Sequence, residues 1–235
     1  MNLCVIPARG GSKRIPRKNA KPFCGRPMIA WSIEAALSSA CFEHVVVSTD
    51  DAEIAQLARR FGAETPFTRP AELSDDFTPT RPVVNHAILD AQQRWGAVDR
   101  VCCLYATAPF VRAADLRAGL ATLESSGAEF AFTVASFPYP IQRALRRTAD
   151  GRVQMIDPST RLTRSQDLEP AFHDAGQFYW GRTSAFLDGL ETFSECSVPI
   201  VLPRERVQDI DTEEDWRRAE LLMRLLDGQE PVAPR

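Results

Sequence analysis

The chain has little histidine, three residues in 235. His44, His86 and His173 stand far apart, and no Ser-His-Asp arrangement can be inferred from them. The six cysteines (Cys4, Cys24, Cys41, Cys102, Cys103 and Cys196) show no Cys-x-x-Cys spacing and no pairing with histidine at zinc intervals. Cys102 and Cys103 adjoin in an apparent strand, so their side chains point to opposite faces and read as core rather than as a bridge. No apolar run approaches the roughly 20 residues that a membrane helix needs. The opening residues read as a strand, not as a charged segment followed by an apolar stretch, so no secretory signal is expected. A reducing cytoplasm is the expected compartment. Acidic residues are missing from one place in particular: between Arg9 and Arg26 there are seven Lys or Arg and no Asp or Glu.

With 44% hydrophobic and 25% charged residues the composition is that of an ordinary soluble protein. One α/β domain spanning 1–235 is expected, with an inserted lobe at 137–172. The net charge of -3 makes the basic stretch a local concentration on a mildly acidic body. That argues against nucleic acid as a partner, since nucleic-acid binding favours a wide basic face. It fits a small anionic ligand focused into one cleft.

The basic stretch follows a short apolar strand, Leu3 to Ile6, and runs Pro7-Ala8-Arg9-Gly10-Gly11-Ser12-Lys13-Arg14-Ile15-Pro16-Arg17-Lys18-Asn19. Gly10-Gly11 lets the backbone adopt φ angles closed to other residues and approach a bound group. A glycine turn crowded with cations supplies what a polyphosphate needs: backbone N–H donors, point charges and forked guanidinium donors. No Gly-Lys-Ser/Thr triplet makes it a Walker A loop, and the later glycines of a dinucleotide fingerprint are absent. The plain alternative is a solvated basic turn.

Along the chain, Pro27 marks a helix start, with Met28, Ile29, Ile33, Ala36 and Leu37 at helical spacing. Residues 44–48 read as a strand, 54–61 as a helix stopped by Gly62, and 65–76 as a proline-broken loop too long to be a mere connector. Further helices are expected near 83–95 and 114–123, with strands at 101–105, 130–134, 177–180 and 198–202. This alternation implies a mostly parallel sheet in a three-layer α/β/α, Rossmann-like arrangement, with ligands beyond the carboxyl ends of the strands. In 137–172 prolines interrupt the pattern and Asp150-Gly151 suggests a hairpin, as for a projecting lobe that makes a dimer contact. A short strand at 207–211 is expected to lead into a final helix capped by Thr212, and the tail from Pro231 is expected to fray.

In such a strand Asp209 and Asp211 project from one face. Their mutual repulsion calls for a cation, and beside a phosphate site magnesium is the expected one, with manganese its substitute. The alternative is that Asp211 merely caps the last helix. Arg164 can clasp a carboxylate bidentately or be a surface arginine, and His173 can be a general base or a polar contact. Cationic loop plus acidic pair suits a nucleoside triphosphate with magnesium, and phosphoryl or nucleotidyl transfer. A metal-dependent glycosyltransferase also pairs a nucleotide-binding sheet with Asp-x-Asp, and a non-catalytic nucleotide sensor is a third reading.

The stretch from Ile6 to Asn19 resembles the signature of the cytidylyltransferases that activate sialic-acid-like sugars. Ser48-Thr49-Asp50-Asp51, Arg69 to Asp76, Arg164-Ser165-Gln166 and Asp209-Ile210-Asp211 fall in that family's order, so the resemblance covers nearly the whole chain. Leu104 to Phe110, Pro140 to Leu145, His173 to Trp180 and Arg206 to Asp211 resemble the branch that acts on pseudaminic acid. The N-acetylneuraminate enzymes usually carry glutamine where this chain has Tyr105 and asparagine where it has Ala175. The resemblance implies that Ala8, Arg9, Gly10, Ser12, Lys13, Lys18 and Asn19 bind the triphosphate, with Arg69 and Thr80 by the cytidine. It implies that Tyr105, Thr107, Arg164, Gln166, His173 and Gln177 surround the sugar, that Asp209 and Asp211 hold magnesium, and that Arg9, Lys18, Asp209 and Asp211 act in catalysis. The implied partners are CTP and an acidic nonulosonic sugar, the implied assembly a homodimer, and the product a CMP-sugar for surface or flagellin glycosylation.

Overall fold

The computed structural model describes residues 1–228, and the tail from Pro231 lies outside them. In chain order the elements begin with β1 (Asn2–Pro7), β2 (Pro22–Phe23), β3 (Arg26–Pro27), α1 (Met28–Ser39), β4 (His44–Ser48), α2 (Ala52–Arg60) and α3 (Thr80–Trp95). They continue with β5 (Arg100–Leu104), α4 (Ala113–Ser126), β6 (Phe130–Ser136), β7 (Leu145–Arg147), β8 (Val153–Met155) and β9 (Phe172–Arg182). The last are α5 (Thr183–Leu187), β10 (Ser197–Val201) and α6 (Glu213–Leu226).

Six strands form the central sheet in the order β10-β6-β9-β5-β1-β4. β4, β1 and β5 run parallel, as do β6 and β10, whereas β9 is antiparallel to both of its neighbours. Strand alternation sorts the core into two layers. Cys4, Ile6 and Cys102 face Ile29 and Ile33 of α1, Ile54 of α2 and Leu116 of α4. Leu3, Val5 and Cys103 face Val84, Ile88 and Ala91 of α3 and Phe186 of α5. Cys102 and Cys103 therefore do lie on opposite faces, both buried and both free. A third cluster packs the β2–β3 hairpin and the basic loop under α6, with Ile15, Phe23 and Ile210 against Trp216.

The expected strand at 207–211 does not form. After β10, Pro203 opens a single 3-10 turn at Arg204–Arg206, and the chain then crosses the carboxyl edge of the sheet as coil. Val207, Asp209 and Asp211 alternate as a strand would, but the segment joins no ladder of the sheet. The last helix starts where expected, with Thr212 and Asp215 closing a capping box. Residues 137–171 leave the sheet after β6 and carry the β7–β8 hairpin, with Gly151 at φ 84 in its turn.

Candidate active site

The basic loop leaves β1 at the carboxyl edge and is held in a series of tight turns. Ser12 N–H donates to the Gly10 carbonyl at 3.0 Å, and the amide of buried Asn19 donates to the Arg9 carbonyl at 3.0 Å. Arg17, not a glycine, takes the left-handed conformation here, at φ 54. Gly10 is required for a different reason than its φ: a Cβ there would stand 2.7 Å from Asp51 Oδ2. Gly10 N–H donates to Asp50 at 3.0 Å, which ties the loop to the end of β4.

Asp51 caps α2, accepting from the backbone N–H groups of Glu53 and Ile54 at 2.9 Å each. Those bonds, the one from Ile54 foremost, hold its carboxyl below the usual range, with Arg17 adding to them. Arg69 is buried against the same strand end, its guanidinium donating to the Ser48 hydroxyl and carbonyl. Burial pulls it down to about 10, which leaves it charged at neutral pH.

Loop cations meet carboxylates on two sides. Arg9 donates to the Asp75 carbonyl at 2.8 Å and to the Asp76 carboxylate at 2.6 Å, and Lys13 pairs with Asp76 as well. On the other side Arg14 lies 2.7 Å and Lys18 3.3 Å from the Asp211 carboxylate, and Lys18 donates to the Ile210 carbonyl at 2.7 Å. Asp209 lies nearby, exposed to the second cleft. Burial first and Asp211 second push its carboxyl up, while Lys18 pulls it down.

Two adjoining clefts share a wall. The first, about 280 Å³, is lined by Arg9, Lys18, Asn19, Arg69, Asp76 and Thr80 among others. The second, about 550 Å³, is lined by His173, Asp174, Ala175, Gly176, Gln208 and Asp209 among others. Tyr105 and Thr107, just past the end of β5, line both. The β6–β9 ladder slips between Phe132 and Val134, and Gly176 at φ 61 turns the start of β9 into the second cleft. Tyr105 lies within 5.3 Å of Tyr179 between ring centroids, and the Tyr179 hydroxyl donates to Asp174 at 2.5 Å. Burial raises both tyrosines, so both are neutral donors at physiological pH.

The residues named from sequence therefore divide. Arg9, Lys18, Asn19, Arg69 and Thr80 gather in the first cleft. Gly10, Ser12 and Lys13 lie in the loop beside it, and Ala8 is buried beneath. Tyr105, Thr107, His173 and Asp209 gather in the second, with Asp211 at its cationic margin. Three do not join them. Arg164 and Gln166 are exposed in the projecting segment, where Arg164 pairs with Asp167 at 2.7 Å. Gln177 is buried, 3% exposed, and donates to the Arg206 carbonyl, because β9 turns its side chain behind the cleft wall. Reading the sequence missed Asp76, Asp174 and Tyr179. The run Leu73-Ser74-Asp75-Asp76 was a possible signal, but only folding puts it against Arg9.

Asp209 and Asp211 offer hard oxygen donors whose mutual repulsion a cation would relieve, which suits magnesium shared with phosphate oxygens. No set of three or more His, Cys, Asp or Glu residues placed to hold a metal occurs among the described residues, so a closed all-protein metal cage is not what this site offers. No helix of the described residues is long and apolar enough to cross a membrane.

Similarity to known proteins bears on this arrangement. The family model described as cytidylyltransferase matches residues 3–226. The chain is 46% identical over 224 residues to a pseudaminic acid cytidylyltransferase of Campylobacter jejuni, covering 95% of this chain and 97% of the relative. It is 33% identical over 230 residues to a CMP-N,N'-diacetyllegionaminic acid synthase of Legionella pneumophila, covering 95% and 96%. The fold is that of a CMP:2-keto-3-deoxy-manno-octonic acid synthetase solved with CTP, at TM-score 0.69 and 19% identity over 96% of this chain and 99% of that one. The chain belongs to the cytidylyltransferase family, and it is a nucleotidyltransferase enzyme.

Proposed function

We propose that this chain transfers CMP from CTP to the anomeric hydroxyl of pseudaminic acid, releasing pyrophosphate. The observation that carries this reading is the pair of clefts joined along Tyr105 and Thr107. One is walled by the cationic loop and suits the triphosphate, and the other is large enough for a nine-carbon sugar. Asp209 lines the second cleft, while its neighbour Asp211 is paired to loop cations, so the reacting groups would meet at the shared wall.

The oxygen of the anomeric hydroxyl attacks the α-phosphorus and its proton passes to water, while the bond from that phosphorus to the pyrophosphate oxygen breaks and pyrophosphate departs with the electron pair. Arg9, Lys13 and Lys18 would neutralise charge growing on that leaving group, in a site already ordered by Asn19 and Asp50. Magnesium held by Asp209 and Asp211 would supply further neutralisation and polarise the α-phosphoryl group. Arg69, locked onto Ser48 and lining the first cleft, would face the cytidine.

Tyr105 and Ala175 both line the second cleft, at the positions where N-acetylneuraminate enzymes usually carry glutamine and asparagine. That favours pseudaminic acid over the ordinary sialic acid. Arg164 and Gln166 belong to the projecting segment, which exposes Tyr139, Leu145, Val153 and Ile156. Those apolar side chains support a homodimer through the lobe, an assembly that would carry Arg164 toward a second copy's sugar. A panel of pseudaminic, legionaminic and N-acetylneuraminic acids, assayed with CTP and magnesium for pyrophosphate release, tests the reading. Release is expected with pseudaminic acid above the others. Preference for either of the others would move the sugar assignment, and no release with any would sink it.

A further inference from the structure

The coil that carries the acidic pair has no ladder to hold it, and its placement rests on a few buried contacts. Arg206, 8% exposed, lies three residues before Asp209. Its guanidinium grips the Asp115 carboxylate with two nitrogens, at 2.5 and 3.1 Å. Asp115 is itself fixed in the first turn of α4, where it accepts the Arg112 backbone N–H at 3.2 Å. From the other side Gln177 of β9 donates to the Arg206 carbonyl at 2.6 Å. Beyond Asp209, Ile210 is buried beside Ile15 and Trp216, and its carbonyl takes the Lys18 ammonium. Asp209 thus stands on a short span pinned at 206 and at 210.

We infer that Asp115, Arg206 and Gln177 are positioning residues, which set the place of Asp209 and Asp211 without touching substrate. The inference rests on the proposed role of those aspartates in holding magnesium. Two features separate this from ordinary core packing. A buried ion pair contributes little to net stability compared with apolar residues of similar volume, whereas its forked geometry fixes one relative placement of two segments. The Gln177 amide orientation is also forced, since its oxygen would repel the Arg206 carbonyl. Its buried oxygen has no protein partner among the described residues, and packing alone would be served as well by an apolar residue in place of Gln177. Residues behind metal-holding carboxylates orient them, and losing such a partner weakens metal affinity by about 10- to 100-fold.

The test uses two variants of the full chain, Arg206→Lys and Gln177→Met. The first keeps the charge and loses the fork, and the second removes the bond together with the orphaned oxygen, so it is expected to fold. Each is titrated with Mn2+ alone, followed by loss of the free-ion EPR signal, and then assayed for pyrophosphate release against magnesium concentration. The expected result is a rise of about 10-fold or more in half-saturating metal for both. Turnover should recover at saturating magnesium, and KM for CTP should stay near the wild-type value. Metal titrations matching wild type in both variants would overturn the positioning role, whatever happens to Tm. Wild-type uptake of Mn2+ that Asp209→Asn leaves unchanged would overturn the metal assignment, and this inference with it.

Discussion

The Lys18 ammonium lies 3.3 Å from the Asp211 carboxylate and donates to the Ile210 carbonyl at 2.7 Å. The loop that follows the first strand and the coil that precedes the last helix are therefore one electrostatic unit. Replacing Lys18 by Gln keeps a donor for Ile210 but removes the charge. Pyrophosphate release is expected to fall by roughly 100-fold, the scale of losing one preorganised charge stabiliser. Thermal melting should change little, which separates the loss from unfolding. Asp211→Asn should abolish turnover with the fold equally intact, and near-normal activity in that variant would remove the aspartate from the reaction.

Gly10 and Gly11 make opposite forecasts for the same substitution. A methyl at Gly10 would stand 2.7 Å from Asp51 Oδ2, whereas nothing lies within 4 Å of one at Gly11. Gly10→Ala should cost about 1–3 kcal/mol through overpacking and raise KM for CTP. Gly11→Ala should leave melting and KM near wild type. Equal effects in denaturant titrations of the two would contradict the close approach.

Asp51 gives a pH-dependent term in stability. Its carboxyl is held below the ordinary value of about 3.9, so its contribution is complete above that value and lost as pH falls through the folded-state pKa. Asp51→Ala should cost about 1 kcal/mol at pH 7, as for a lost helix cap. The gap between variant and wild type should close as pH drops below about 4. Urea unfolding at several pH values measures it, and a gap that widened in acid would reverse the sign.

Asp76 sits where it pairs with both Arg9 and Lys13. A triphosphate bound at the cationic loop would have to compete with it for those cations. Asp76→Asn should therefore lower KM for CTP by about 2- to 5-fold at low salt, an exposed-pair effect that screening by about 0.5 M salt should erase. A raised KM would mean that Asp76 orders the loop rather than competing for it.

The strands, the helices and the basic loop were readable because their signals are local: apolar periodicity, Pro27, Gly62 and a run of cations. The contacts that complete the site are not local. Arg206 and Asp115 lie in different thirds of the chain, and no spacing rule pairs them. The family resemblance assigns Gln177 to the sugar, and its neighbours Ala175 and Gly176 do line the second cleft. Its own side chain is sent behind the wall by the geometry of β9. Alternation at Val207, Asp209 and Asp211 imitates a strand, yet the segment crosses the ends of the strands and pairs with none of them. Gly10-Gly11 is expected to serve through φ freedom and close approach to a ligand, yet what crowds Gly10 is the Asp51 side chain, some forty residues on.

The antiparallel placement of β9 bears on how such a molecule can diversify. Because β9 runs against its neighbours, the excursion from β6 both departs from and returns to the carboxyl edge of the sheet. Its neck is closed by the pairing of Ser136 with Phe172 and by the Phe137 N–H bond to the Ala171 carbonyl at 3.1 Å. What lies beyond that neck can lengthen or change at small entropic cost, about 0.6 kcal/mol per doubling of a flexible loop. The nucleotide half of the molecule need not shift in response. The projecting lobe and the sheet that carries the cationic loop are thereby parts of the chain that can evolve at separate rates.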